Sequence, residues 1–257
     1  MPFIDVNDIR MYYDDVGTGP PLILLNGATG TNIDSWQKLR SSLAQHYRVL
    51  HVEHRGHGRT NNPAGYIDYE LVATDIIALI EMLDIAPVNI AGVSDGGIHS
   101  LVVGMRRPDL VRALVPIGAN YYNDDQVLEA NRVIDAERID RVMPEFRAQL
   151  EAGHDPHHHS GYWRTLVTQL AENLSKNPNY TDTDLSGITA PTLLISGEAD
   201  LWCNVSQILG MRRVIPNSEM LILNHAGLSW MDNHDVNDTR SDLVGPAMLE
   251  FLARDSG

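Results

Sequence analysis

One serine in this chain stands where a nucleophile is made. Ala91-Gly92-Val93-Ser94-Asp95-Gly96-Gly97 has the G-x-S-x-G spacing of a turn that carries a strand straight into a helix. Such a turn is so tight that the serine takes a strained backbone and presents its hydroxyl outward. Gly92 and Gly96 are small because side chains there would strike the neighbouring backbone. A serine hydroxyl is a poor nucleophile at neutral pH. Acyl transfer through Ser94 therefore needs a base in hydrogen-bond reach, an acid that orients the base, and donors for the developing oxyanion. His154, His157, His158 and His159 invite a metal instead, but adjacent histidines cannot all face one ion and no nearby carboxylate pattern completes a site. Neither a metal nor a cofactor is expected.

The elements that must position Ser94 are legible around it. Pro87 to Ile90 can form the incoming strand. Ile98, Leu101, Val102 and Met105 fall at i, i+3, i+4 and i+7, the face of the outgoing helix, which Pro108 ends. Upstream, residues 3–14 read as a hairpin turning at Asn7-Asp8. Leu22-Ile23-Leu24-Leu25 has the uninterrupted apolar character of a strand buried on both faces. A loop at Asn26 to Gly30 leads to a helix around Trp36, Leu39 and Leu43. Next come a strand at 47–52, the turn His54 to Arg59, and a helix from about Asp68 to Asp84. Val111 to Ile117 is a further strand. This alternation predicts an α/β fold with a doubly wound, mainly parallel sheet.

Residues 121–187 break the rhythm: they are polar and helix-prone, with no sheet strand. They are expected to form a helical cap inserted over the carboxyl ends of the strands, between core segments 1–120 and 188–257. Strands at 191–195 and 220–223 and helices at 204–213 and 238–252 complete the core.

With 257 residues and 43% hydrophobic content, the chain can bury a large core. A net charge of −15 argues against a nucleic-acid-binding face. Cys203 is the only cysteine, the amino terminus has no signal-peptide pattern, and no apolar run has the length of a membrane span. A soluble cytoplasmic protein with a small-molecule substrate is expected, and nothing argues for or against a homo-oligomer.

The order of these pieces resembles the α/β-hydrolase family along nearly the whole chain, which implies an eight-stranded sheet. Ser94 resembles its nucleophile, Ile195-Ser196-Gly197-Glu198-Ala199-Asp200 the strand-end motif that supplies the triad acid at Asp200, and Leu25-Asn26-Gly27-Ala28 the oxyanion loop. The family geometry implies backbone N–H donors at Ala28 and Asp95. The aspartate after the serine, with Ile117-Gly118-Ala119-Asn120, is most similar to the valacyclovir-hydrolase-like branch. There the matching aspartate helps bind a substrate ammonium group; at Asp95 the alternative is a helix cap. Asn26 replaces a usual histidine and either meets substrate or shapes the loop. Trp163, Trp202 and Trp230 are candidates to line an apolar pocket, each with a core role as the alternative. Glu53 and Cys203 read as structural.

The base is the departure. In Leu223-Asn224-His225-Ala226-Gly227-Leu228-Ser229-Trp230, Leu228 stands where the family pattern has histidine. Three accounts are open: His225 serves as base through a shifted loop, with His234 a poorer candidate; Leu228 is an engineered replacement of a natural histidine; or the pocket works without triad hydrolysis, as a lyase, isomerase, cyclase or binding protein. The function expected is a serine hydrolase of small esters, amides or lactones.

Overall fold

Short apolar strands separated by amphipathic helices leave each strand two faces to cover, and the alternation of side chains decides what covers them. On the strand Pro21–Leu25, Ile23 and Leu25 join one core cluster while Leu22 and Leu24 join another. The strand Val88–Val93 divides the same way, with Val88 and Ile90 on one side and Ala91 and Val93 on the other.

The structure, a computed structural model, describes residues 3–31, 36–226 and 239–254. Its strands are β1 Phe3–Val6, β2 Ile9–Val16, β3 Pro21–Leu25, β4 Arg48–Val52, β5 Val88–Val93, β6 Val111–Ile117, β7 Thr192–Gly197 and β8 Ser218–Leu223. They form one eight-stranded sheet in the order β1-β2-β4-β3-β5-β6-β7-β8. From β4 to β8 every pairing is parallel, and the hairpin β1–β2 adds an antiparallel edge through β4. This is the α/β-hydrolase fold.

Helices α1 Gln37–Leu43, α2 Tyr69–Leu83, α3 Asp95–Arg106, α9 Val205–Val214 and α10 Ser241–Arg254 flank the sheet. α1 and α10 pack together on one face, with Leu39, Leu43, Val244 and Phe251 in that core. α2 and α3 cover the other. The α2 ends sit where sequence placed them: Asp68 accepts from the Leu71 N–H as N-cap, and Asp84 closes the helix in the left-handed region at φ 51°. Among the described residues no helix is long and apolar enough to cross a membrane.

Between β6 and β7 lie α4 Asp125–Asn131, α5 Ala136–Val142, α6 Pro144–His154, α7 Tyr162–Leu174 and α8 Asp182–Leu185. α7 has two apolar faces. Tyr162, Leu166 and Leu170 join the main core, whereas Trp163, Val167 and Leu174 pack with Ile134, Ile139 and Leu150 in a core of the insertion's own.

The segment after β4 is held from below by a buried ion pair. Arg55 is 0% exposed at its side chain and donates through Nε and Nη2 to both carboxylate oxygens of Asp75 on α2, at 2.7 and 2.9 Å. Asn7 donates to Asp75 at 2.8 Å, and Arg55 reaches Asp8 at 2.9 Å, so the β1–β2 turn is tied to the same pair. Glu53, read as structural, accepts from the Arg59 backbone N–H at 2.7 Å and from its guanidinium.

Candidate active site

β3 lies between β4 and β5, so the chain leaves its carboxyl end toward one edge of the sheet and leaves the end of β5 toward the other. In open α/β sheets that divergence opens a crevice where ligands bind. Two loops meet there: residues 26–31 after β3, and Ser94 after β5. Ser94 is the one residue between β5 and α3, at φ 54° and ψ −123°. Such a conformation strains an L-residue and persists only when its surroundings enforce it. They do. A Cβ on Gly92 would stand 2.1 Å from the Gly96 carbonyl oxygen, and one on Gly96 would stand 2.6 Å from the carbonyl oxygens of Leu25 and Asn26. The Ser94 N–H donates to Ile117 at 2.7 Å, and its carbonyl accepts the first helical bond from Ile98. The loop after β3 is close enough that a Cβ on Gly27 would lie 3.4 Å from Ser94 Cβ.

That loop is shaped by buried polar side chains. The Asn26 amide donates to the Val52 carbonyl at 3.0 Å, which fixes its oxygen as the acceptor of His51 Nε2 at 2.7 Å. His57 places Nε2 2.6 Å from the Ala28 carbonyl and Nδ1 3.0 Å from that of Arg55. Carbonyls only accept, so Nε2 donates to Ala28 and the second contact favours a proton on Nδ1 as well. Burial nevertheless pushes His57 below its ordinary pKa, with the two carbonyls and Glu53 pulling it back up. His51 and His99 are pushed by burial to about 3, which leaves both neutral near pH 7.

The acid turn follows β7. Asp200 is 2% exposed, and its Oδ1 accepts from the backbone N–H groups of Trp202 and Cys203, both at 2.9 Å. β6 joins this turn to the serine: Gly118 N–H donates to Ile195 on β7 while Ile117 accepts from Ser94. Asp200 and Ser94 thus lie in loops at the same end of the sheet, on strands separated by β6. A buried carboxylate and a strained serine at the same end of the sheet could serve acyl transfer, given a base and oxyanion donors.

The family model for the alpha/beta hydrolase fold matches residues 20–186, most of the chain. The chain belongs to that family. A 2-(acetamidomethylene)succinate hydrolase of Mesorhizobium japonicum is 23% identical over 274 residues, covering 97% of this chain and 94% of its own. Among solved structures, the enol-lactonase from Burkholderia xenovorans LB400 superposes with a TM-score of 0.77 at 22% identity, over 98% of this chain and 100% of that one. A thermophilic esterase from Thermogutta terrifontis does so with a TM-score of 0.77 at 21% identity, over the whole of both chains. The structural likenesses show the fold, and the relatives are hydrolases of small molecules.

Not every residue singled out by sequence meets Ser94 in this α/β hydrolase. His225 is exposed at φ 55°, and its backbone N–H faces Glu198 at 3.4 Å. Among the described residues its imidazole makes no hydrogen bond to Ser94 or Asp200. Leu228, Trp230 and His234 lie outside the described residues. Trp163 is 1% exposed and enclosed by the insertion's own core, which takes its ring out of any pocket wall. Trp202 packs on Val127, and its indole N–H donates to Asn131 at 2.9 Å. Cys203 is a packing residue whose thiol donates to the Ala119 carbonyl. The four neighbouring histidines diverge: His154 is buried, His158 stacks on Tyr162 with centroids 3.7 Å apart, and His157 and His159 are exposed. No group of three metal-ligating side chains occurs among the described residues.

Tyr69, His51 and His99 carry no motif and are missed by pattern reading, while His57 lies in the turn that sequence placed after β4 with no partner assigned to it. The available signal was local: a histidine inside the apolar run Val49-Leu50-His51-Val52 must be buried, and a buried polar group must find a partner.

Asp95 is 4% exposed and accepts from the Tyr69 hydroxyl at 3.1 Å. Burial pushes its pKa from 3.8 up to about 7, against the opposing pull of that hydrogen bond. Between these values the folded chain holds a proton that the unfolded chain has released. The stabilisation it gives is whole below about pH 4 and is lost as pH rises through about 7. An Asp95→Asn variant lacks this dependence. Its melting temperature minus that of the wild type is expected to climb between pH 4 and pH 8, by a few kcal/mol in stability. A difference that stays level over that range refutes the assignment.

Proposed function

We propose that this chain hydrolyses small carboxylic esters, amides or lactones through an acyl-enzyme on Ser94. The single observation that carries the reading is the enforced backbone of Ser94 at φ 54°, clamped by two glycine contacts that no other residue could make. Ser94 Oγ attacks the substrate carbonyl, and the N–H groups of Asp95 and Ala28 receive the oxyanion. The Ser94 proton passes to a base that Asp200 orients, the role open to His225 while Leu228 occupies the usual position, and from that base to the leaving alcohol or amine. An acetamide, an enol-lactone and an ester, the bonds named by the relatives' activities, all present the same acyl carbonyl, which supports this substrate class. Residues 121–187 serve as the cap over a core of residues 1–120 and 188–257, with Asp95 beside the nucleophile on the substrate side and Asn26 shaping the loop after β3. A single buried cysteine fits a cytoplasmic setting.

Leu228 at the usual base position supports a second reading, in which the pocket serves a non-hydrolytic reaction or binds a ligand. A fluorophosphonate probe followed by peptide mass spectrometry separates the two. Slow labelling at Ser94, abolished in Ser94→Ala, is the expected result. An unlabelled Ser94 in folded protein, or undiminished turnover of a non-ester substrate by Ser94→Ala, would sink the hydrolase reading.

A further inference from the structure

We infer that His154, contributed by the helical insertion, is the positioning residue that holds the loop after β3 in shape, so that the oxyanion donor at Ala28 depends on a side chain outside the sheet. The inference rests on the hydrolytic reading of Ser94 above for its catalytic consequence and on geometry for the hold itself.

Consecutive peptide planes of the loop are each fixed by a separate donor. The Gly27 carbonyl accepts from Gly30 N–H at 3.1 Å. Because a trans peptide points its carbonyl and its N–H in opposite directions, that turn aims the Ala28 N–H away from the turn's interior. The Ala28 carbonyl is held by His57, and the Thr29 carbonyl by His154 Nε2 at 3.1 Å, a contact across 125 positions of sequence. His154 spans two loops. Its Nδ1 accepts from the Gly58 backbone N–H at 2.9 Å, so its single proton belongs on Nε2, toward Thr29. One neutral tautomer satisfies both nitrogens, and the ring is 1% exposed. Burial pushes its pKa to about 3, so the arrangement persists across the neutral range. The end of α6 also abuts the loop directly: a Cβ on Gly153 would lie 3.1 Å from Thr31 Cγ2. Removing the imidazole leaves the Thr29 carbonyl and the Gly58 N–H unpartnered and frees the loop beside the oxyanion.

The test compares intact wild-type protein with His154→Leu, with His154→Gln, whose amide can donate and accept at once, and with the exposed neighbour His157→Ala. Three readouts are taken: kcat and KM for p-nitrophenyl acetate, the rate of fluorophosphonate labelling at Ser94, and deuterium exchange of backbone amides in residues 26–31. His154→Leu is expected to lower kcat and the labelling rate by about 10- to 100-fold, below the full loss of an oxyanion donor, while KM stays within about twofold. Exchange in 26–31 rises. The glutamine variant recovers most of the loss, and His157→Ala matches wild type. A mere packing role would not separate kcat from KM or be rescued by glutamine. Wild-type labelling and wild-type exchange in His154→Leu overturn the inference. If wild type itself is never labelled, the serine reading has failed, and the exchange data alone decide the hold: faster exchange in 26–31 supports it and unchanged exchange refutes it. Should the leucine variant not fold, His154→Asn, polar but too short to bridge both partners, takes its place.

Discussion

Leu228→His is expected to raise hydrolysis of an activated ester by several decades. In a well-studied serine hydrolase the loss of the triad histidine lowers turnover about 10⁶-fold, so restoring a base to an otherwise assembled site has that scale as its ceiling. The surroundings favour a large fraction of it. The loop after β8 is already fastened beside the acid turn, since Ala199 N–H donates to the Ala226 carbonyl at 2.9 Å, two positions before residue 228. Asp200 is buried next to that junction, with Oδ1 fixed by two backbone N–H groups. A leucine side chain can neither take the Ser94 proton nor return it to a leaving group. Steady-state rates with p-nitrophenyl acetate, for Leu228→His beside His225→Ala, decide the matter. A gain of about a thousandfold or more identifies position 228 as a base site that is disabled in this chain. Flat activity in Leu228→His together with loss of activity in His225→Ala would instead give the role to His225.

Breaking the ion pair beneath the site is expected to be the most damaging single change to stability. In Asp75→Ala the Arg55 guanidinium, wholly buried at its side chain, keeps only Asp8 and Asn62 as polar partners. Leaving one member of a buried pair uncompensated costs about 3–5 kcal/mol. For a chain of this size that is a fall of roughly 10 °C or more in melting temperature. Differential scanning calorimetry measures it directly. A fall under a few degrees would mean that water or a rearranged Asp8 compensates the guanidinium, and that the pair does not anchor the loop after β4. Since His57 and Gly58 lie in that loop, the same variant should also loosen residues 26–31.

What could be read in advance follows the range of the forces involved. The elbow, the two-faced strands and the span of α2 are set by neighbours within a few positions: glycine where backbones touch, apolar residues at a fixed period. The place of Asp200 was legible because it lies in the turn just past a buried strand. The polar network around Asn26 was not. His51 finds Asn26 across 25 positions and His154 finds Thr29 across 125, pairings that exist only after the sheet and the insertion have come together. Trp163 shows the opposite failure. An aromatic in a helical segment reads equally as pocket wall or as core, and the side of α7 on which it falls decides the question. His225 kept its place at the end of β8 but turned outward, at a backbone angle no sequence pattern announces.

The separate core of Trp163, Val167, Ile139 and Leu150 has a consequence for how this molecule can change. Because those side chains pack mainly on one another, substitutions among them are expected to reshape the insertion without disturbing the strands that precede Ser94 and Asp200. The two apolar faces of α7 act as a firewall: one belongs to the insertion's own core, the other to the main core. Directed evolution should therefore accumulate changes on the Trp163 side of α7 and leave Tyr162, Leu166 and Leu170 alone, with His154, bonded to Thr29 and Gly58, as the position where a remodelled insertion still meets the loops beside the sheet.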